Sequence, residues 1–191
     1  MNGQRAIREF TGYEWDDVKN PSRPVKVTTL PGGLINHSYK VETPDGKTLL
    51  LQVINKKVFT DPDAVQDNYI DIWNFVQQQQ NNIVLPAPVY TRSNHSHFID
   101  EEGEYWRAFR FIEGSSMHIL ATSPSEAYAT AQTFGQFTAA LRKYDAKRLR
   151  VVIPRFHDLS FRYEQFTHAL KNGNKERIRE TADMIKVLTD R

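Results

Sequence analysis

The first half of the chain carries its apolar residues in short blocks with strand character, and the second half carries them at helical spacing. Val25-Lys26-Val27, Tyr39-Lys40-Val41 and Leu49-Leu50-Leu51-Gln52-Val53-Ile54 are separated by Pro31-Gly32-Gly33 and Pro44-Asp45-Gly46, which predicts three antiparallel strands joined by turns. Asp61 as a cap and Pro62 in the first turn then open a helix. Its Val65, Tyr69, Ile72, Trp73 and Val76 form one face to lie on the sheet. Two more strands are expected, around His97-Phe98-Ile99 and from Tyr105 to Ile112, with Glu101-Glu102-Gly103 as the tight turn between them. From Ser123 the period changes. Ser123-Pro124-Ser125-Glu126 is a capping box, and Ala127, Ala131, Phe134, Phe137, Leu141 and Tyr144 continue as a helical stripe. A further helix is expected after Asp158, with Leu159, Tyr163, Phe166 and Leu170 on its stripe and Asn172-Gly173 as its stop. A last one begins at Lys175 with Ile178, Ala182, Ile185 and Leu188.

Composition narrows the class. The 191 residues are 39% hydrophobic and 25% charged, which is the balance of a globular chain rather than a disordered one. No apolar run approaches the length of a membrane helix, and Met1-Asn2-Gly3-Gln4-Arg5 lacks the apolar segment of a signal peptide, so a cytoplasmic location and no membrane partner are the expectation. The absence of Cys excludes disulfides, Cys-ligated zinc and thiol nucleophiles. A net charge of +2 argues against a nucleic-acid partner and permits a small phosphate-bearing ligand. The tract Gln77 to Asn82 reads as the polar end of a helix entering a loop.

Three segments are candidates for chemistry. The turn Pro31-Gly32-Gly33-Leu34-Ile35-Asn36-His37-Ser38-Tyr39 has glycines that let backbone N–H groups approach an anion, although taken alone a plain hairpin with a Gly-Gly corner is the favoured reading, since it lacks both a full G-x-G-x-x-G and the Walker lysine. The run Trp106 to Ser115 is a strand entering a Gly-containing link, where free backbone groups can meet the edge of a purine. In Arg155-Phe156-His157-Asp158 the aspartate is best read as a helix cap, while Arg155 and Arg162 fit an anionic or hydroxyl-rich ligand and a solvated face equally well. His95-x-His97 lacks a third ligand for a metal. The basic run Arg142 to Arg150 reads as a solvated helix end.

Four stretches, Gly33 to Val41, Leu50 to Asn55, Trp106 to Glu113, and Phe134-Gly135-Gln136-Phe137 through Phe156-His157-Asp158, resemble the N-acetylhexosamine 1-kinase branch of the aminoglycoside phosphotransferase and choline kinase superfamily. The likeness runs from about Val25 to Leu170. It implies an α+β fold: a protein-kinase-like N-lobe, a five-stranded antiparallel sheet plus one helix, over residues 1–112, a link over 113–122, and the start of a helical C-lobe, cut short, over 123–191. It implies ATP and magnesium as cofactors and a small sugar as the acceptor. Phosphoryl transfer of this kind needs alignment and charge neutralisation more than covalent help from the protein. The nucleotide positions it carries over are Gly32, Gly33, Asn36 and His37 in the loop, and Phe111, Ile112 and Glu113 in the link.

Two departures accompany the resemblance. Where such kinases present a Lys or Arg from the third strand to the phosphates, the register places Gln52, which donates hydrogen bonds without charge. Helical geometry puts Asn68 at the border of the apolar face and turns Asp71 toward solvent, so an amide pair of Gln52 with Asn68 is expected in place of the usual ion pair. Nothing after Ile112 has the His-x-Asp catalytic loop or the metal-binding Asp in an apolar strand. No catalytic residue and no metal ligand is therefore assigned, and the chain is expected to be an N-terminal portion without phosphotransferase activity of its own. A truncated sugar kinase, a non-catalytic nucleotide-binding or scaffolding module, and a kinase of another hydroxyl acceptor such as choline, homoserine or an aminoglycoside all fit these residues. An apolar stripe left bare on the last helix would favour the first; a second copy covering it, in a dimer, would favour the second.

Overall fold

The computed structural model describes residues 3–14, 24–79, 82–116, 118 and 120–190, so Gln80 and Asn81 of the polar tract lie outside the described residues. In chain order the elements are α1 (Gln4–Thr11), β1 (Lys26–Leu30), β2 (His37–Glu42), β3 (Thr48–Ile54), α2 (Pro62–Gln77), β4 (Pro88–Val89), β5 (Phe98–Ile99), β6 (Tyr105–Arg110), α3 (Pro124–Ala140), a short 3-10 turn (Ala146–Arg148), α4 (Leu159–Asn172), α5 (Lys175–Glu180) and α6 (Ala182–Thr189). The chain divides into two compact units, Met1–Val152 and Ile153–Arg191. No helix among the described residues is long and apolar enough to cross a membrane.

The first unit is built on an antiparallel sheet of six strands in the order β1-β2-β3-β6-β4, with β5 also paired to β6. The expected five strands are all present. β4 is an addition, a two-residue strand pairing Pro88 with Phe109 and Val89 with Ala108, too short to leave an alternating pattern. Alternation gives the sheet two different faces. On one, Val41, Leu49, Leu51, Val53, Trp106 and Ala108 pack with Ala6, Ile7 and Phe10 of α1 into the main core. The other meets α2, whose Asp61 cap accepts from Ala64 N at 3.0 Å as the sequence implies. Along β6 the residues facing α2 are Tyr105, Arg107 and Phe109. Tyr105 donates to Asp63 at 3.0 Å, and Phe109 meets the edge of Tyr69 with ring centroids 4.7 Å apart.

Half of the capping box before α3 forms as read, with Ser123 accepting from Glu126 N, while the Glu126 carboxylate takes the N–H and hydroxyl of Thr122, one residue before the cap, bonds that hold it below the usual carboxylate range. In the second unit, Asp158 caps α4 by accepting from Phe161 N at 2.9 Å, and this bond is the main cause that lowers its pKa. The single helix expected from Lys175 breaks at Thr181. That residue leaves the helical well at φ −104° and ψ 15°, and its hydroxyl adds a second bond to the Arg177 carbonyl beside the one from its own N–H. Of the predicted stripe, Leu188 is exposed and Ile178 and Ile185 are half-buried.

Candidate functional site

The glycine turn between β1 and β2 is held by its backbone. Gly32 takes φ 89°, in the left-handed region that favours glycine, and a Cβ on Gly33 would stand 2.6 Å from the Asn36 carbonyl oxygen. The Asn36 carboxamide accepts from Asn55 N at 3.0 Å, clasping the turn to the end of β3. At the other side, the link leaves β6 with Phe111 N donating to Thr48 O at 3.1 Å, then turns through Gly114, where Ser115 N donates to Ile112 O at 3.2 Å. The N–H of Ile112 has no hydrogen-bond partner among the described residues and remains open to a ligand edge.

Turn and link face one groove of about 330 Å³, bounded by Leu30, Pro31 and Gly33 on one side and by Phe111 and Ile112 on the other, with Leu50 and Ser38 as its floor. Its walls are largely apolar and its ends carry backbone groups and hydroxyls, the character of a site for a flat heterocycle with a polar tail. Glu113 lies exposed in the turn beyond it. A larger cavity of about 790 Å³, between the end of α2 and α3, is lined by Gln78, Gln136, Arg142 and other mostly polar side chains and contains none of the candidate residues.

The structure corrects three expectations. His37 does not join the groove. Strand alternation gives Ser38 the groove face, and His37 lines a separate cavity with Tyr39, Val53 and Trp106 on the opposite face of the sheet. The Gln52–Asn68 pair does not form. Gln52 Nε2 donates to Ser38 Oγ at 3.0 Å, and its carbonyl oxygen is taken by Arg107, while Asn68 exchanges two bonds with the backbone of Arg150. Asp71 does not face solvent; it accepts from Tyr144 OH and pairs with Arg148. The basic run is solvated as read, all its Arg and Lys side chains being exposed, and two of them also make surface ion pairs, Arg148 with Asp71 and Arg150 with Asp61 and Asp67 at 2.6 and 2.9 Å.

Beside the groove lies a polar cluster that sequence reasoning missed. Gln52 and Arg107 are directly opposed on β3 and β6, so their side chains share a face. Arg107 donates to the Gln52 oxygen through Nε at 3.0 Å and Nη2 at 2.6 Å, and through Nη1 to Gln66 at 3.4 Å. Gln66, fully buried in α2, is itself fixed by donating to Ser96 O at 3.0 Å. The guanidinium carbon sits 5.0 Å from the Phe109 ring centroid and 5.9 Å from that of Tyr69. Burial pushes the Arg107 pKa down to about 10 and that of the Tyr69 phenol up to about 12. The only sequence signal for the cluster was the strand register, which cannot be read before the strands are paired. Among the described residues no three Asp, Glu or His side chains gather closely enough to hold a metal ion.

A hairpin-built antiparallel sheet backed by one long helix is an architecture shared with kinase-like phosphotransferases. Residues 26–190 match the Phosphotransferase enzyme family, and the chain belongs to it. Two solved structures share the fold. An aminoglycoside phosphotransferase from Alicyclobacillus acidocaldarius matches with a TM-score of 0.51 at 14% identity, covering 79% of this chain and 41% of that one. A spectinomycin phosphotransferase solved with ADP and spectinomycin matches with a TM-score of 0.53 at 11% identity, covering 98% of this chain and 54% of that one. The chain thus spans about half the length of these structures or less.

Proposed function

We propose that these residues are the nucleotide-holding part of an ATP-dependent small-molecule kinase, with the purine seated in the groove between the Pro31 to Gly33 turn and the Phe111 to Ile112 link. The observation that carries this reading is the convergence of those two segments, 80 residues apart in sequence, on one apolar groove with an Ile112 N–H at its rim that has no partner among the described residues. Gly32, Gly33 and Asn36 set the turn, Phe111 and Ile112 the link, and Glu113 follows at its exposed end; His37 acts at most on the loop's shape, from the other sheet face.

The acceptor favoured for the whole protein is the anomeric hydroxyl of an N-acetylhexosamine, supported by the wording of the four resembling segments. A second reading, an aminocyclitol or aminoglycoside hydroxyl, is favoured by the spectinomycin-bound neighbour. Holding the nucleotide and transferring phosphate are separate tasks, and the His-x-Asp loop that transfer requires is not in this sequence. Calorimetry of the chain with ADP tests the first task. Binding that Gly33→Val abolishes supports the reading, and no heat of binding contradicts it. ATP consumption by the whole protein, with N-acetylglucosamine against spectinomycin, decides between the acceptors.

A further inference from the structure

Arg107 is a largely buried cation without an acid. No carboxylate lies within ion-pair distance of its guanidinium among the described residues; its partners are two neutral carboxamides and two aromatic faces. Buried charges are normally paired, because an unpaired one forfeits its hydration without a compensating attraction. An arginine also has five N–H donors, and the three bonds made here leave two of them uncommitted. The charge could have been avoided at this position, since Phe109 and Tyr105 flank it on the same face and an apolar residue would pack there. What is built instead is a cradle. Gln66 is anchored to Ser96 O, Gln52 is anchored to Ser38, and both present carbonyl oxygens that fix the fork of the guanidinium in one orientation.

The cradle also connects with the groove. Ser38, which lines the groove floor, is bonded to Gln52, and Gln52 is bonded to Arg107, so two hydrogen bonds join the groove floor to the cation, which stands on β6 three residues before Arg110 of the groove wall. A nucleotide whose base lies against Phe111 and Ile112 would bring its phosphates to that cation by running past Ser38 and Gln52. We propose that Arg107, donated by β6 rather than by β3, is the cation that holds the phosphate chain of the bound nucleotide, with Gln52 and Gln66 as its positioning residues. The inference rests on the nucleotide reading of the groove and adds to it the source of the positive charge. A bound anion would supply the missing counter-charge, and the forked guanidinium suits two phosphate oxygens at once.

The test uses the full 191-residue chain in the presence of a chelator, with adenosine, ADP and inorganic tripolyphosphate as separate probes. Two variants are compared. Arg107→Met removes the charge, while Gln52→Glu keeps the two hydrogen bonds but gives Arg107 an internal carboxylate, which preserves the fold and competes with phosphate. Both are expected to weaken ADP and tripolyphosphate by about 10- to 100-fold, the worth of a charge-assisted bond, and to leave adenosine within about twofold. If Gln52→Glu binds ADP and tripolyphosphate as tightly as the parent chain while adenosine still binds, the inference is wrong and the groove reading stands. If tripolyphosphate binds in an Arg107-dependent way but adenosine does not, the cation holds and the purine reading fails. If the parent chain binds none of the three probes, both are overturned.

Discussion

Asn68 and Arg150, 82 positions apart, exchange two hydrogen bonds as if one were a strand partner of the other: Asn68 Nδ2 donates to Arg150 O at 2.8 Å and Arg150 N donates to Asn68 Oδ1 at 2.9 Å. The side chain of Arg150 then reaches Asp61 and Asp67 on the same helix. The asparagine is thus spent on fastening the segment after α3 to the exposed side of α2, which is why it is not available to Gln52. Asn68→Ala is expected to cost roughly 1–2 kcal/mol, two ordinary hydrogen bonds, and Asn68→Asp about half as much because it keeps the acceptor. Equilibrium denaturation of the two variants measures this; the exposed Arg150 ion pairs are worth less, and Arg150→Met should cost under about 1 kcal/mol.

The glycine turn makes a sharper demand. At Gly33 a Cβ would meet backbone, the Asn36 carbonyl oxygen at 2.6 Å, so the turn itself must move to admit one. Gly33→Ala should therefore weaken ADP binding several-fold with little loss of stability, because the turn is exposed and adds little to the core. Gly32→Ala should instead show its cost in stability, about 1–2 kcal/mol for a left-handed residue with a side chain. Parallel denaturation and calorimetry separate the two effects.

Gln66 was expected on no apolar stripe, yet it is fully buried. Gln66→Leu would leave the Ser96 carbonyl without its donor and Arg107 with one acceptor fewer. The expected loss is about 2 kcal/mol, or a fall in Tm of roughly 4–8 °C for a chain of this length. A thermal melt of the variant with unchanged or raised Tm would show that the cradle is not under this constraint.

Alkaline stability follows from the buried phenols. The folded chain holds the Tyr69 proton to about pH 12, whereas an unfolded tyrosine releases it near pH 10, and Tyr105 is shifted in the same direction by its burial and then by Asp63. Between these values the folded state binds more protons, so stability is complete below pH 10 and declines as pH rises through the window. Arg107 has the opposite sign, since its pKa is lowered in the fold, and it offsets part of the loss. Phenolate absorbance of native protein should show three tyrosines, Tyr69, Tyr105 and Tyr144, lagging the rest, and Tyr69→Phe should flatten the decline while removing the 2.7 Å bond from Tyr69 OH to Pro86 O.

What the sequence showed most clearly was local. The caps at Asp61, Ser123 and Asp158 all form, because each is decided by a side chain and a backbone N–H two or three residues away. The two segments of the groove were also legible, since a glycine turn and a strand-to-link transition leave composition behind. The helix α1 escaped notice: eight residues with Ala6, Ile7 and Phe10 inward are too few for a periodic signal, though Gly12 at φ 81° ends it as a C-cap should. The misplacement of His37 and the missed role of Arg107 have one cause. Which face a strand residue takes, and which residue opposes it, depends on the register among β2, β3 and β6, and register is a tertiary fact.

The most direct measurement is a nuclear magnetic resonance titration of the isotope-labelled chain with ADP. The account predicts amide shifts concentrated at Leu30 to Ser38, at Leu50, and from Phe111 to Ser116, with that of Ile112 among the largest as its N–H acquires a partner. Shifts confined to the larger cavity around Gln78, Gln136 and Arg142, or no shifts at saturating ADP, would contradict it.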